Sequence, residues 1–444
     1  MNYLLRNGLI INEGKRFYGD IFLKNGRIEK IGVELSINEN YTELNLKGKY
    51  VMPGFIDDQV HFREPGLTNK ATIASESRAA VAGGITSFIE QPNTVPNAVT
   101  QEILEDKYVI ASKSSIANYS FMMGGTNDNL DEILKTNPRN VAGLKLFLGS
   151  STGDMLVDSS ASLEKIFSNT KLLIAVHSED ETTVKTNLER FKAEYGDDIP
   201  VKFHPEIRSV EACYKSTVKV IDLAKRTGAR LHVFHISTAK ELDLFDNSIP
   251  LEQKKITAEV CVHHLWFSDE DYATKGNFIK WNPAVKAASD RKALWEALLD
   301  DRIDVIATDH APHTLEEKAQ VYTKAPSGGP LVQHALIALL EKSKQGVISL
   351  ERLVQKTAHN PAILFNIEDR GFIREGYKAD LVVVDPNKPT VVTKEQCLYK
   401  CGWSPFEGEV FSHSIDSTFV NGNLVWTNGQ IQEVGNGERL LFSL

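Results

Sequence analysis

The chain has 444 residues, a formal net charge of −9 and 42% hydrophobic residues. No Lys/Arg cluster stands out, which argues against a nucleic-acid or membrane-surface partner, and no apolar run approaches the ~20 residues that span a bilayer. The N-terminal MNYLLRNGLIINEGKRF lacks an apolar core and a small-residue cleavage site, so it does not read as a secretory signal.

Four cysteines, Cys213, Cys261, Cys397 and Cys401, make no disulfide framework in so long a chain. Cys397 and Cys401 could begin a zinc site, but no second pair follows, and free thiols in a reducing cytoplasm fit better.

From the N-terminus, residues 1–50 read as short strands and turns, YLLRNGLII and DIFLKNGRIEKIG, with Asn7-Gly8 and Asn25-Gly26 as hairpin signals. The C-terminal end repeats this style in ADLVVVD (379–385) and in STFVNGNLVWTNG (417–429), where Asn421-Gly422 marks the turn. Between these ends lie eight short apolar runs: GFIDDQVH (54–61), ITSFIEQP (85–92), YSFMM (119–123), GLKLFL (143–148), KLLIAVH (171–177), RLHVFHIS (230–237), ITAEVCVHHL (256–265) and DVIATDHAP (304–312). The stretches between them carry helical periodicity, as in residues 209–228 and 290–301, and further helices follow at 331–342 and 350–365. Eight β-then-α units predict an α/β chain: a (β/α)8 TIM-type barrel over 53–369, with a small β-sandwich domain built from both chain termini, 1–52 plus 370–444.

In such a barrel the active site lies at the C-terminal ends of the strands. Those ends carry His61, Glu90, Lys145, His177, His235, His263, His264 and Asp309. A lone strand-end histidine is more often a hydrogen-bonded core residue than a ligand. Histidines on several strands of one barrel reverse that reading, because zinc takes imidazole and carboxylate ligands from several rigid elements. Lys145 would ordinarily snorkel to a surface. Inside a barrel it loses its proton readily, and a neutral lysine can take up CO2 as a carbamate able to bridge two cations. Asp309 could bind metal and shuttle a proton, or simply cap a helix. Arg63 matches a substrate carboxylate in two-point fashion, with Asn93 and His313 as further donors, or else pairs with Glu64 or Asp57. A metal site beside such a cluster suggests hydrolysis or closure of an amide on a small acidic substrate.

The motifs VHFREPG, PNTVP, GLKLFL, VHSEDE, HPEIRS, FHIS, ATDHAPHTLEEK, GFIREGYKADLVVVD and CGWSPFEG together resemble the dihydroorotase family of the amidohydrolase superfamily, over nearly the whole chain. The resemblance implies one or two zinc ions. His61 and Asp309 would hold the first metal, the carbamate of Lys145 would bridge, and His177 and His235 would hold the second. Asp309 would also be the general acid/base. Arg63, Asn93 and His313, with His61 nearby, would take the substrate carboxylate, and Asn282 and the Ser327-Gly328 backbone the rest of the ring. The implied reaction is the reversible cyclisation of N-carbamoyl-L-aspartate to dihydroorotate in pyrimidine synthesis, in a cytoplasmic homo-oligomer, a dimer by base rate.

Two positions depart from the family pattern. The usual His-x-His is Gln59-Val60-His61 here, so Gln59 is a weakened or lost ligand of the first metal. Lys286 stands where many members have arginine. Alternatives are a related cyclic amidohydrolase, such as allantoinase or dihydropyrimidinase, and an inactive scaffold subunit for a partner such as aspartate transcarbamoylase. The former act on rings without that carboxylate and lack Arg63. APSGGP (325–330) is the segment whose glycines would permit a lid.

Overall fold

The computed structural model describes residues 1–149 and 155–444. The eight apolar runs form eight parallel strands: β1 (Phe55–Val60), β2 (Ile85–Glu90), β3 (Asn118–Phe121), β4 (Leu144–Phe147), β5 (Ile174–His177), β6 (Leu231–Val233), β7 (Ile256–Cys261) and β8 (Val305–Ala307). Strands β1 to β3 pair in order, as do β4 to β8. The short strand Met123–Gly124 follows β3 and pairs with β4, joining the two runs. The ring closes where Val60 bridges His310 in parallel and the His61 N–H donates to the His310 carbonyl at 2.7 Å. Apart from Ile256, every residue of these strands is buried, because helices cover the outside and side chains fill the inside. That is why the runs read as continuously apolar and not as alternating.

The helices follow local signals. Val210–Thr227 starts where the Ser209 side chain accepts the Ala212 N–H and stops at Gly228, whose φ is +73°. It turns Ala212, Cys213, Ser216, Thr217, Val220 and Ala224 to the core, the three-and-four spacing of one helical face. Ala288–Leu299 occupies the periodic stretch expected at 290–301. The 331–342 stretch becomes helical only at Ala335, running to Lys344. The 350–365 stretch is interrupted: Leu350–Val354 and Asn360–Phe365 flank a wider π turn, Gln355–His359. Pro361 has no N–H for the preceding turn, which widens ahead of it.

Both chain ends enter one nine-stranded sheet. Its centre is the antiparallel pair of Tyr50–Pro53 with Leu381–Asp385. Asn25-Gly26 and Asn421-Gly422 are hairpin turns, with positive φ at both residues. Asn7-Gly8 is not. It forms a bulge inside the strand Tyr3–Asn12, and the turn falls at Glu13-Gly14. Asp20 accepts the Asn7 N–H at 3.0 Å, and a Cβ on Gly8 would come within 2.6 Å of Val51. Among the described residues the four cysteines are free thiols, and no helix is long and apolar enough to cross a membrane.

Candidate active site

A cavity of about 80 Å3 opens at the C-terminal ends of the barrel strands. Its walls include all the candidate residues: Gln59, His61, Arg63, Asn93, Lys145, His177, His235, Asn282, Asp309, His313, Ser327 and Gly328. Phe147, Trp281 and Ala311 complete them.

The barrel strands converge these groups in pairs. On one side, His61 Nε2 lies 3.1 Å from Asp309 Oδ1, while its Nδ1–H donates to Asn93 Oδ1 at 2.8 Å. In that tautomer the Nε2 lone pair faces the Asp309 carboxylate. On the other side, His177 Nδ1 and His235 Nε2 lie 3.0 Å apart. The His177 Nε2–H donates to Glu179 Oε2 at 2.9 Å, so its Nδ1 presents a lone pair to the cavity. Burial alone would raise the Glu179 carboxyl. Arg208 and His177, both bonded to it, hold it well below the usual carboxylate range. His235 Nδ1 has no partner among the described residues. Burial, with His177 and Lys145 nearby, drives the His235 imidazole well below its ordinary pKa.

Lys145 does not snorkel. It is 1% exposed, and its ammonium lies 4.1 Å from the Phe234 ring centre and 4.9 Å from that of Phe147. No oxygen accepts from it among the described residues. Burial pushes it down to about 7, against the opposing charges of Asp309 and Glu259.

Arg63 is buried without a carboxylate partner among the described residues. Its Nε–H donates to the Pro312 carbonyl at 3.2 Å and its Nη2 to His313 Nε2 at 3.1 Å. The expected alternative pairings are absent: Glu64 accepts the Ile73 N–H and Asp57 binds Thr308. Burial lowers the guanidinium to about 10. Asp309 is no helix cap either, since Thr314 caps the next helix, Leu315–Lys318.

Three of the site residues have left-handed backbone: Arg63 (φ +69°), His235 (+42°) and Asp309 (+48°). Such conformations cost of order 1–3 kcal/mol each and persist where the surroundings over-determine them. Two of the causes are visible. Glu259 Oε1 accepts the His235 N–H at 3.0 Å, and Asp57 accepts the Thr308 N–H at 3.1 Å just before Asp309.

The amidohydrolase family model matches residues 50–425. The chain belongs to the amidohydrolase family. It is 35% identical to a dihydroorotase of Halobacterium salinarum, over 92% of this chain and 93% of that one. A dihydroorotase of Ligilactobacillus salivarius is 32% identical, over 96% and 99%. Among solved structures, the L-hydantoinase (dihydropyrimidinase) of Arthrobacter aurescens superposes with a TM-score of 0.91 at 28% identity, over 97% of each chain.

Amidohydrolase membership implies metal use, and the donor set fits a cation. His61 Nε2 and Asp309 Oδ1 lie 3.1 Å apart and His177 Nδ1 and His235 Nε2 3.0 Å apart, so ligand-type atoms are held together in two pairs. A cation lying between the members of each pair would take up their lone pairs.

Glu90 and His310 have other partners. Glu90 pairs with Lys107, both fully buried, and accepts the Phe62 N–H, so it anchors the turn into Arg63. His310 links Glu76 to the Leu331 N–H as a satisfied core histidine. The APSGGP segment is tied down: Lys280 donates to the carbonyl of Ala325, and Lys318 to those of Pro326 and Gly328. Sequence reasoning missed these two lysines and the Glu179-Arg208 pair behind His177. The Glu179 signal was available in the HSED run, where a carboxylate stands two residues past a ligand-type histidine.

Proposed function

We propose that this amidohydrolase is a zinc-dependent dihydroorotase, interconverting dihydroorotate and N-carbamoyl-L-aspartate. The observation that carries the reading is Arg63: a buried guanidinium at the cavity wall with no carboxylate paired to it among the described residues. A substrate carboxylate supplies the missing counter-charge in two-point geometry. Rings that lack a carboxylate leave that cation uncompensated, which separates this reading from dihydropyrimidinase despite the similar fold. Apart from Gln59, the retained groups Lys145, His177, His235, Asp309, Arg63, Asn93 and His313 speak against an inactive scaffold.

In this reading residues 53–369 are the catalytic domain, and 1–52 with 370–444 the composite β domain. His61 and Asp309 would hold the first cation, His177 and His235 would hold the second, and Lys145 as a carbamate would serve both. Bound zinc supplies Lewis acidity toward the ring carbonyl. Asp309 carries the proton between the attacking water and the ring nitrogen. Arg63, Asn93 and His313 clamp the carboxylate, and Asn282 with the Ser327-Gly328 backbone holds the ring edge. The clamp converts binding into orientation at the reacting carbonyl. We further infer a cytoplasmic homodimer, the commonest symmetric assembly.

The test is an assay of purified, zinc-reconstituted protein in both directions, with metal content measured in parallel. Conversion in both directions with bound zinc is expected. Protein that stays metal-free and inactive in both directions refutes the reading.

A further inference from the structure

Beside the position where the family's histidine is missing there is a sulfur. Cys261 ends β7, fully buried, with its Sγ 3.7 Å from Gln59 Oε1 and 3.4 Å from Glu259 Oε1. Residues 259 and 261 share one face of the strand, and Glu259 on that face holds the His235 N–H. The face therefore looks into the barrel beneath the cavity.

The surroundings of the sulfur are unusual for packing alone. Cys261, His263 and His264 bring one ligand atom each within 4.8 Å of one another. Nδ1 of His264 has no partner among the described residues, and both histidines are buried. His264 donates its Nε2–H to the Pro283 carbonyl at 3.1 Å, which leaves Nδ1 as a lone pair. The His263 ring is stacked on Trp281, centres 4.3 Å apart, and Trp281 is a wall of the same cavity. Buried imidazole nitrogens without partners are costly. The Cys261 thiol beside them is a donor suited to zinc and similar borderline-soft cations.

We propose that Cys261 Sγ ligates the first metal in place of the histidine that Gln59 replaces. The proposal rests on the metal-centre reading above. On binding, the S–H bond breaks, its proton passes to Glu259 Oε1, and a sulfur–metal bond forms. Without a cation, burial raises the thiol well above its ordinary value, and Cys261 is then a neutral neighbour of the Gln59 amide. Gln59 thus marks a ligand exchanged across the barrel, from β1 to β7.

Cobalt(II) loading of the full chain tests this. The expected result is bound cobalt whose spectrum includes a thiolate-to-cobalt charge-transfer band. Cys261→Ser should abolish the band and weaken first-site affinity at least roughly 10-fold, and Gln59→His in the Cys261→Ser background should restore the affinity without the band. The other three cysteines are unchanged throughout and serve as an internal control. X-ray absorption of the zinc-loaded wild type needs no variant and should find a sulfur scatterer at ~2.3 Å. Cobalt bound with no charge-transfer band, a band that survives in Cys261→Ser, or zinc with no sulfur neighbour overturns the proposal and leaves the metal centre standing. Failure to bind any cobalt or zinc overturns the metal-centre reading itself, and this proposal with it.

Discussion

Replacing Arg63 by methionine isolates the substrate carboxylate. In the free protein Arg63 is 4% exposed and its hydrogen-bond partners are a carbonyl oxygen and an imidazole. Asp309, Glu90 and Glu317 act on its charge without a direct pair among the described residues, so a bound substrate acid would supply a directly paired carboxylate. Truncating one partner of a buried, hydrogen-bonded charge pair costs about 2–5 kcal/mol. At 1.36 kcal/mol per decade, that is a loss of roughly 30- to 5,000-fold in kcat/KM for dihydroorotate. Methionine keeps the aliphatic packing and removes a desolvated cation. The unfolding midpoint of Arg63→Met should therefore stay level or rise, since apolar replacement of buried charge is commonly neutral or stabilising. The assay is steady-state kinetics in both directions with thermal unfolding of the same samples. A kcat/KM within threefold of wild type would show that Arg63 does not meet the substrate. A fall in the unfolding midpoint together with lost activity would make Arg63 structural and remove the main argument for an acidic substrate.

Lys145→Ala should abolish activity, with partial rescue by short carboxylic acids that enter the vacated space; full activity in the variant would refute a carbamate there. Activation of CO2-depleted enzyme at a fixed dissolved CO2 concentration should speed up as pH rises through about 7 and then level off, because only the neutral amine reacts with CO2 and burial brings Lys145 to that value; an activation rate flat between pH 6 and 8 would contradict this. Glu179→Gln weakens the bond that fixes the His177 tautomer, and second-site metal affinity should drop roughly 10–100-fold by competition titration with a chelator. Ser209→Ala removes the cap of the helix Val210–Thr227 and should cost about 1 kcal/mol in denaturant unfolding without changing metal content.

Most of the barrel was legible because its strands are short, buried on both faces and punctuated by ligand-type residues. GLKLFL and KLLIAVH could be nothing but interior strands once Lys145 and His177 were seen at their ends. Arg63 was legible as a cation near a ligand histidine, yet its lack of an acid partner was not, because Glu64 and Asp57 lie adjacent in sequence and spend their oxygens elsewhere. The Asn7-Gly8 dipeptide carried a genuine turn signal that tertiary packing redirected into a bulge. The Glu179-Arg208 lock joins residues 29 apart, and the Gln59-Cys261 contact joins residues 202 apart. No local periodicity encodes either. The two lysines that pin APSGGP were hidden for the same reason: glycines announce freedom, but the carbonyl acceptors of a distant ammonium leave no trace in composition.

The left-handed backbone at His235 and Asp309 governs which replacements can be interpreted there. Asparagine enters that region more readily than almost any other residue with a side chain, while alanine and β-branched residues resist it. At Asp309, asparagine therefore removes the charge and leaves the chain path alone, whereas valine would alter chemistry and geometry together. A saturation scan should rank replacements at these two positions by torsional tolerance first and by polarity second, and comparing asparagine with alanine would measure how much of each position's importance belongs to the peptide and how much to the side chain.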